Sequence, residues 1–305
     1  MADLALIKRL RETTGCGIAD CNKALKENSD DFDKSVDWLR KKGLSAAVKK
    51  GGRITSEGIV AVQIKGSEAV IVEVNSETDF VARNQKFQDF VQHISSVAFG
   101  TGSDAEALKA EKYPTSELTV GEELSNQIGI IGENIKIRRV DNLSVKEGAV
   151  ISYVHNPVAP NLGKIAVLVA LESTGDKDKL EEFGKQLAMH IAATKPDALN
   201  IEEVDPAKLE REISILKDQA KASGKPENII EKMMEGRVRK YYEEIVLLEQ
   251  NFVMDDKVKI KDVVKNFGKE IGSDIAISGF KLFILGEGIE KKENDFAAEV
   301  ASMAS

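Results

Sequence analysis

One order of elements occurs twice in this chain, and that recurrence limits the fold more than any single residue does. From Gly58 to Val74 apolar residues alternate: Val60, Val62 and Ile64 share one face, Lys65-Gly66-Ser67-Glu68 turns, and Ala69 to Val74 returns. A period of two marks strands joined as a hairpin. A helix is predicted next, over residues 84–98. The order comes back with strands from Gly148 to Val154 and from Lys164 to Leu171. They are joined by a longer turn through Asn156-Pro157-Val158-Ala159-Pro160-Asn161, and a helix follows near 177–194. Both helices carry a His-Ile pair, His93-Ile94 and His190-Ile191. Two copies are too few for a solenoid and predict two similar strand-strand-helix units.

Around these units the spacing is helical. Leu4, Ile7 and Leu10, then Ile18, Cys21 and Leu25, then Phe32, Val36 and Leu39 predict three short helices, with corners at Thr14-Gly15-Cys16-Gly17 and Glu27-Asn28-Ser29-Asp30-Asp31. Asp30, Asp31 and Asp33 suit a helix start. Gly43 is expected as a C-cap, and Lys49-Lys50-Gly51-Gly52-Arg53 as a linker. Between the units the sequence predicts a helix through Leu124, Ile128 and Ile131 and a strand over Ile135 to Val140. Asp205-Pro206 opens a helix striped by Leu209, Ile213, Leu216 and Ala220. Gly224-Lys225-Pro226 turns it into a second, striped by Ile230, Met233, Met234, Tyr241 and Ile245. A closing strand is expected at Phe280, Leu282 and Ile284, and a last amphipathic helix from Asp295 to Met303. The class is α+β, divided at 1–53, 54–145, 146–285 with an inserted helical hairpin 203–250, and 286–305.

Composition removes several functions. With 51 acidic against 43 basic side chains and a net charge of -8, nonspecific nucleic-acid binding is disfavoured. No apolar run reaches the roughly 20 residues that span a bilayer. The start, MADLALIKRLRE, lacks signal and transit character, so a cytoplasmic protein is expected. Cys16 and Cys21 with His93, His155 and His190 are too few and too scattered for a zinc site. Neither a bound metal nor a cofactor is expected. No phosphate-binding glycine loop occurs, and Gly100-Thr101-Gly102-Ser103-Asp104-Ala105 follows a helix rather than a strand, so it reads as a loop. Glu77 and Asp79 lack an accompanying oxyanion donor or metal cluster, and no enzyme emerges.

Phe80 resists a purely architectural reading. Thr78 is expected to cap a helix, which puts Asp79 and Phe80 in its exposed first turn. A ring on a corner either folds back into its own core or anchors in another protein's pocket, where it gives large contact at small entropic cost. His190, on a stripe with Phe183, Leu187, Ala188 and Ile191, reads from pattern alone as a core-edge histidine with one hydrogen bond. The apolar stripes of the 206–245 hairpin favour a partner contact or self-association.

Several motifs carry a resemblance over nearly the whole chain. They are Leu10-Arg11-Glu12-Thr13-Thr14-Gly15-Cys16-Gly17, Asp20-Cys21-Asn22-Lys23-Ala24-Leu25, Val74-Asn75-Ser76-Glu77-Thr78-Asp79-Phe80-Val81-Ala82 and Ile131-Gly132-Glu133-Asn134-Ile135-Lys136-Ile137-Arg138-Arg139. Further on come Met189-His190-Ile191-Ala192-Ala193 with Lys195-Pro196, Gly224-Lys225-Pro226, Glu235-Gly236-Arg237, and Gly288-Ile289-Glu290-Lys291 before Asp295-Phe296-Ala297-Ala298-Glu299-Val300. In these the sequence resembles the bacterial translation elongation factor Ts family. The resemblance implies a three-helix, UBA-like N-terminal module, a core of two related subdomains, a helical hairpin and a C-terminal helix. It also implies guanine-nucleotide exchange on elongation factor Tu, GDP-bound and nucleotide-free. In that role Thr78, Asp79, Phe80 and Val81 disturb the GTPase's magnesium and phosphate sites, and Ile18, Ala19, Lys23, Met189 and His190 add contacts. A homodimer or a 2:2 complex is an option, and a non-catalytic adaptor using the hairpin is the alternative. Ser76 stands where relatives often have cysteine. Ile18-Ala19 stands where methionines are common, and the smaller Ala19 implies a weaker contact there.

Overall fold

Helical spacing at the start of the chain becomes α1 (Leu4–Thr14), α2 (Ile18–Glu27) and α3 (Phe32–Lys50). The computed structural model describes residues 3–222 and 227–290. The side chains of Asp3 and Asp31 accept from the amides of Ala5 and Lys34, satisfying helix-start N–H groups that have no partner within their helices. Leu10, Cys21, Leu25 and Leu39 close the bundle. Gly43 does not end the third helix, contrary to expectation. It is buried within α3 and faces Gly129 on the helix Val120–Ile131, where a Cβ added to Gly129 would lie 3.1 Å from the Gly43 Cα. Glycine here allows two helix backbones to approach closely, so the bundle leans on the core and the chain turns only at Gly51-Gly52. An Arg40–Glu122 ion pair ties the same helices.

The alternating runs form an antiparallel hairpin, β1 (Glu57–Lys65) and β2 (Glu68–Ser76), turned at Gly66-Ser67. A 3-10 turn (Val81–Arg83), α4 (Gln85–Val97), α5 (Ala105–Ala110), α6 (Val120–Ile131) and β3 (Ile135–Ser144) complete the first half. The second half repeats the plan with β4 (Gly148–His155), the two-residue β5 (Leu162–Gly163), β6 (Ile165–Glu172) and α7 (Lys177–Thr194). The hairpin helices α8 (Pro206–Ala222) and α9 (Glu227–Ile245) follow, then the short ribbon β7 (Asn251–Phe252) and β8 (Asp255–Lys259), α10 (Ile260–Ile271) and the closing strand β9 (Ala276–Ile284). The ribbon, α5 and α10 had no counterpart in the sequence reading. The expected helix from Asp295 to Met303 and the turn Gly224-Lys225-Pro226 lie outside the described residues.

Both sheets are antiparallel, ordered β3-β2-β1-β5 and β4-β6-β9. In each the second strand of the hairpin is flanked by the first and by the strand that follows the helices. Val60, Val62 and Ile71 meet Val150, Leu168 and Phe283 between the sheets. Their outer faces are covered by α4, through Phe87, Phe90, Val91 and Ile94, and by α7 and α10, through Leu180, Phe183, Leu187 and Val264. Each such buried side chain contributes about 1.5–3 kcal/mol. Strands covered on both faces explain why β2 and β6 read as nearly unbroken apolar runs.

The halves also share a backbone device. Gly58 and Gly148 start their hairpins with φ of 128° and 130°, and a Cβ on either would lie 2.2 Å and 2.0 Å from the carbonyl oxygens of Val74 and Leu171. The internal repeat therefore extends to points in the paired strands where a side chain does not fit.

Candidate functional site

The corner after β2 is held from behind. Glu77 accepts from the Asn134 amide at 2.6 Å, and Glu133 accepts from the Thr78 amide at 2.9 Å and its hydroxyl at 2.6 Å. These two carboxylates cross between the corner and the Gly132-Glu133-Asn134 loop, where α6 ends at Gly132 with a left-handed φ of 86°. Asn134 is buried and donates to the Arg53 carbonyl at 2.9 Å, joining the end of the N-terminal module to the same knot. Ser76 adds a hydroxyl bond to the Thr78 carbonyl. Thr78 is thus a donor to Glu133 and caps no helix; the cap of α4 is Asn84, whose side chain accepts from Lys86. An acidic partner that holds both its donors outcompetes the local capping geometry.

Beyond this brace the chain projects. Phe80 is 76% exposed, and Asp79 is exposed with no hydrogen bond or ion pair among the described residues. Val81 does not share that exposure: it and Ala82 are buried against the first-half core and act as the foot of the corner, which corrects its place among the projecting contacts. The Ala82 carbonyl accepts from buried Gln88 at 2.8 Å. The ring stands out because its neighbours on both sides are fixed. Glu77 and Asp79 do not converge, since Glu77 is turned inward to Asn134 and Arg53.

Ile18, Ala19 and Lys23 lie together on the outer face of α2, with Ile18 58% exposed. The Lys23 and Lys42 ammonium groups each lie 5.9 Å from the Trp38 ring centre. The Gly15 carbonyl accepts from Lys86 at 3.0 Å on the first turn of α4, which seats the module's first corner beside the element that follows the tip. Burial pushes both the Cys16 and the Cys21 thiol up, so they are poor nucleophiles.

In the second half His190 is wholly buried, so its ring does not face a partner. Two ring bonds replace the single one expected. Nε2 pairs with Gln250 Oε1 at 2.9 Å and Nδ1 accepts from the Val253 amide at 3.3 Å, which assigns the proton to Nε2. Gln250 donates onward to the Glu244 carbonyl. The imidazole pins the β7–β8 turn, and that turn exposes Val253 (49%) and Met254 (50%), with Met189 (37%) on α7 near the same ring. The sequence reading missed the apolar pair Val253-Met254 within its polar turn, and missed Glu133 as the brace.

Burial lowers the His190 pKa from the ordinary 6.5, and the Gln250 bond only partly offsets this. The unfolded imidazole takes up its proton as pH falls through about 6.5, whereas the buried ring does so only at lower pH. Between these values the unfolded chain binds more protons, so stability is expected to fall as pH falls, then level off. Urea melts at a series of pH values check this. The His190→Gln variant should lose that part of the slope, and an equal slope in both proteins contradicts the assignment.

Among the described residues no group of three or more His, Cys, Asp or Glu side chains is placed to hold a metal ion, and no helix is long and apolar enough to cross a membrane. What the arrangement offers is exposed apolar and acidic groups on braced corners, which is the chemistry of a protein contact. Comparison with known proteins gives the same direction. The family model described as Elongation factor TS matches residues 77–287. The chain is similar to Elongation factor Ts of Rhodospirillum centenum, 58% identical over 300 residues, covering 98% of both chains. It is 54% identical to Elongation factor Ts of Paramagnetospirillum magneticum, over 98% of this chain and 96% of that one. With an identity of this size along almost its full length, the chain belongs to the elongation factor Ts family.

Proposed function

We propose that the chain is a guanine-nucleotide exchange factor for elongation factor Tu, acting in the cytoplasm during translation elongation. The observation that carries this reading is Phe80, a ring held 76% exposed on a corner braced by Glu77 and Glu133. Exchange requires no bond to be made or broken in the factor. A protein that binds the nucleotide-free GTPase better than the GDP form weakens GDP binding by the same ratio. Phe80 supplies apolar anchoring between elements of the GTPase. Asp79, unpaired among the described residues, brings a negative charge toward the magnesium and phosphate sites, where it competes for their donors. The α2 face and the Met189–Val253–Met254 surface add binding energy away from the tip.

The test is to mix the protein with elongation factor Tu loaded with fluorescent GDP, with unlabelled GDP in excess, and follow the decay. Release should accelerate with factor concentration and saturate. A decay no faster than the spontaneous one, at any concentration, refutes the reading.

A further inference from the structure

Glu73 is the only fully buried carboxylate among the described residues, and nothing in the exchange reading uses it. It lies in β2 at the register shift between Glu73 and Val74, four residues before Glu77, where the braced corner begins. Its oxygens accept from Asn75 Nδ2 at 2.9 Å, Arg138 Nη1 at 3.0 Å, Arg139 Nε at 2.5 Å and the Gly286 amide at 2.8 Å. The first three donors belong to the tip-bearing half. The fourth lies just beyond β9, the closing strand of the other half.

The arginines extend the same bridge. Arg139 Nη2 donates to the Ile284 carbonyl at 3.0 Å and its guanidinium lies 4.1 Å over the Phe283 ring, while Arg138 Nη2 donates to the Glu287 carbonyl. Gly286 is seated so closely that an added Cβ would lie 2.4 Å from the Ser56 carbonyl oxygen, at the entry to β1. Burial pushes the Glu73 carboxyl up, but the Gly286 amide, Asn75 and Arg139 outweigh it and hold the group below the usual carboxylate range. Burying a charge is a poor way to add stability, because apolar side chains of similar volume often do as well or better. What four converging donors from β2, β3 and the end of β9 supply is a fixed relation between those strands.

We infer that Glu73 is a positioning residue of the exchange site. By clamping the end of β9 to the strand that runs into Phe80, it fixes the half that carries the tip against the half that carries Met189, Val253 and Met254. Binding energy gathered on the second half is then delivered at the tip rather than lost in movement between halves. This rests on the exchange reading above. It adds to that reading a coupling between the clamp and the tip, which the rate measurements below read out.

The experiment uses the full chain with elongation factor Tu carrying fluorescent GDP, and reads the maximal release rate and the half-saturating concentration separately. Glu73→Gln is expected to lower the maximal rate about ten-fold while half-saturation moves less than about two-fold. In a Phe80→Ala background the same substitution should lower the maximal rate no further. An unchanged maximal rate, a change confined to half-saturation, or equal losses in both backgrounds overturns the proposal. If Glu73→Gln does not fold, as judged by circular dichroism, Arg138→Gln is read in the same way and by the same criteria, since it cuts the link to Glu287 but leaves Arg139 on Glu73. Phe80→Ala alone separates the two readings. If it leaves release untouched, the tip reading fails and takes the clamp with it; if it slows release and the clamp variants do not, only the clamp fails.

Discussion

Phe80→Ala is expected to slow factor-stimulated GDP release at subsaturating concentration by about five- to 150-fold, the equivalent of roughly 1–3 kcal/mol of lost anchoring. The size follows from what an aromatic hot spot contributes when it enters a pocket and sheds water. The absence of a folding penalty follows from the structure: the ring is 76% exposed, so its removal empties no cavity in the factor's own core. A thermal melt of the variant should therefore overlay that of the parent, while stopped-flow release separates them. Val81 makes the contrast plain. It is buried at the foot of the same corner, so Val81→Ala would leave a void, and its effect on exchange would be mixed with an effect on the fold. A Phe80→Ala protein that melts normally and releases GDP at the parental rate ends the tip mechanism.

How far the sequence foretells this arrangement depends on the range of the interaction. Local signals were legible: the period of two gave β1 and β2 with their Gly66-Ser67 turn, and the second repeat gave β4, β6 and α7. Signals set by distant partners were not. Gly43 looked like a helix end because a glycine after an apolar stripe often is one, yet its reason lies on another helix at Gly129. Thr78 looked like a cap, but Glu133, 55 positions on, holds both its donors. His190 was legible as a core residue from its stripe, and the resemblance to the family moved it toward the surface. Its neighbours Met189, Val253 and Met254 are the exposed ones, and its own bonds run to Gln250 and the Val253 amide, 60 and 63 positions away. The exposed ring at Phe80 was legible as a question, because an aromatic beside an aspartate at a strand end fits no local rule. Only the crossed carboxylates show how it is held outward.

The second large effect concerns the fold rather than the contact. Gly148→Ala is expected to destabilise the protein by about 3–5 kcal/mol, near the top of the range for single substitutions. Two costs add. The backbone at φ 130° is a conformation that residues with a Cβ avoid, and the new atom would stand 2.0 Å from the Leu171 carbonyl oxygen and 3.0 Å from the Ser173 amide nitrogen. Both are backbone atoms, Leu171 in the central strand β6 and Ser173 just after its end, so no side-chain rotation relieves the contact, and the β4–β6 pairing must open. Gly66→Ala provides the comparison. It also has positive φ, 64°, but nothing lies within 4 Å of its would-be Cβ, so only the conformational cost of about 1–2 kcal/mol applies. Urea unfolding of both variants reads the difference directly, and equal midpoints would show that the paired strands do not approach as closely at Gly148 as described. Gly58 repeats the same geometry against Val74 in the first half, where β2 leads into the corner that carries Phe80. A forced opening there would reach the tip through Asn75 and Ser76. Gly58→Ala should therefore cost exchange activity as well as stability, while Gly148→Ala in protein that remains folded costs stability first.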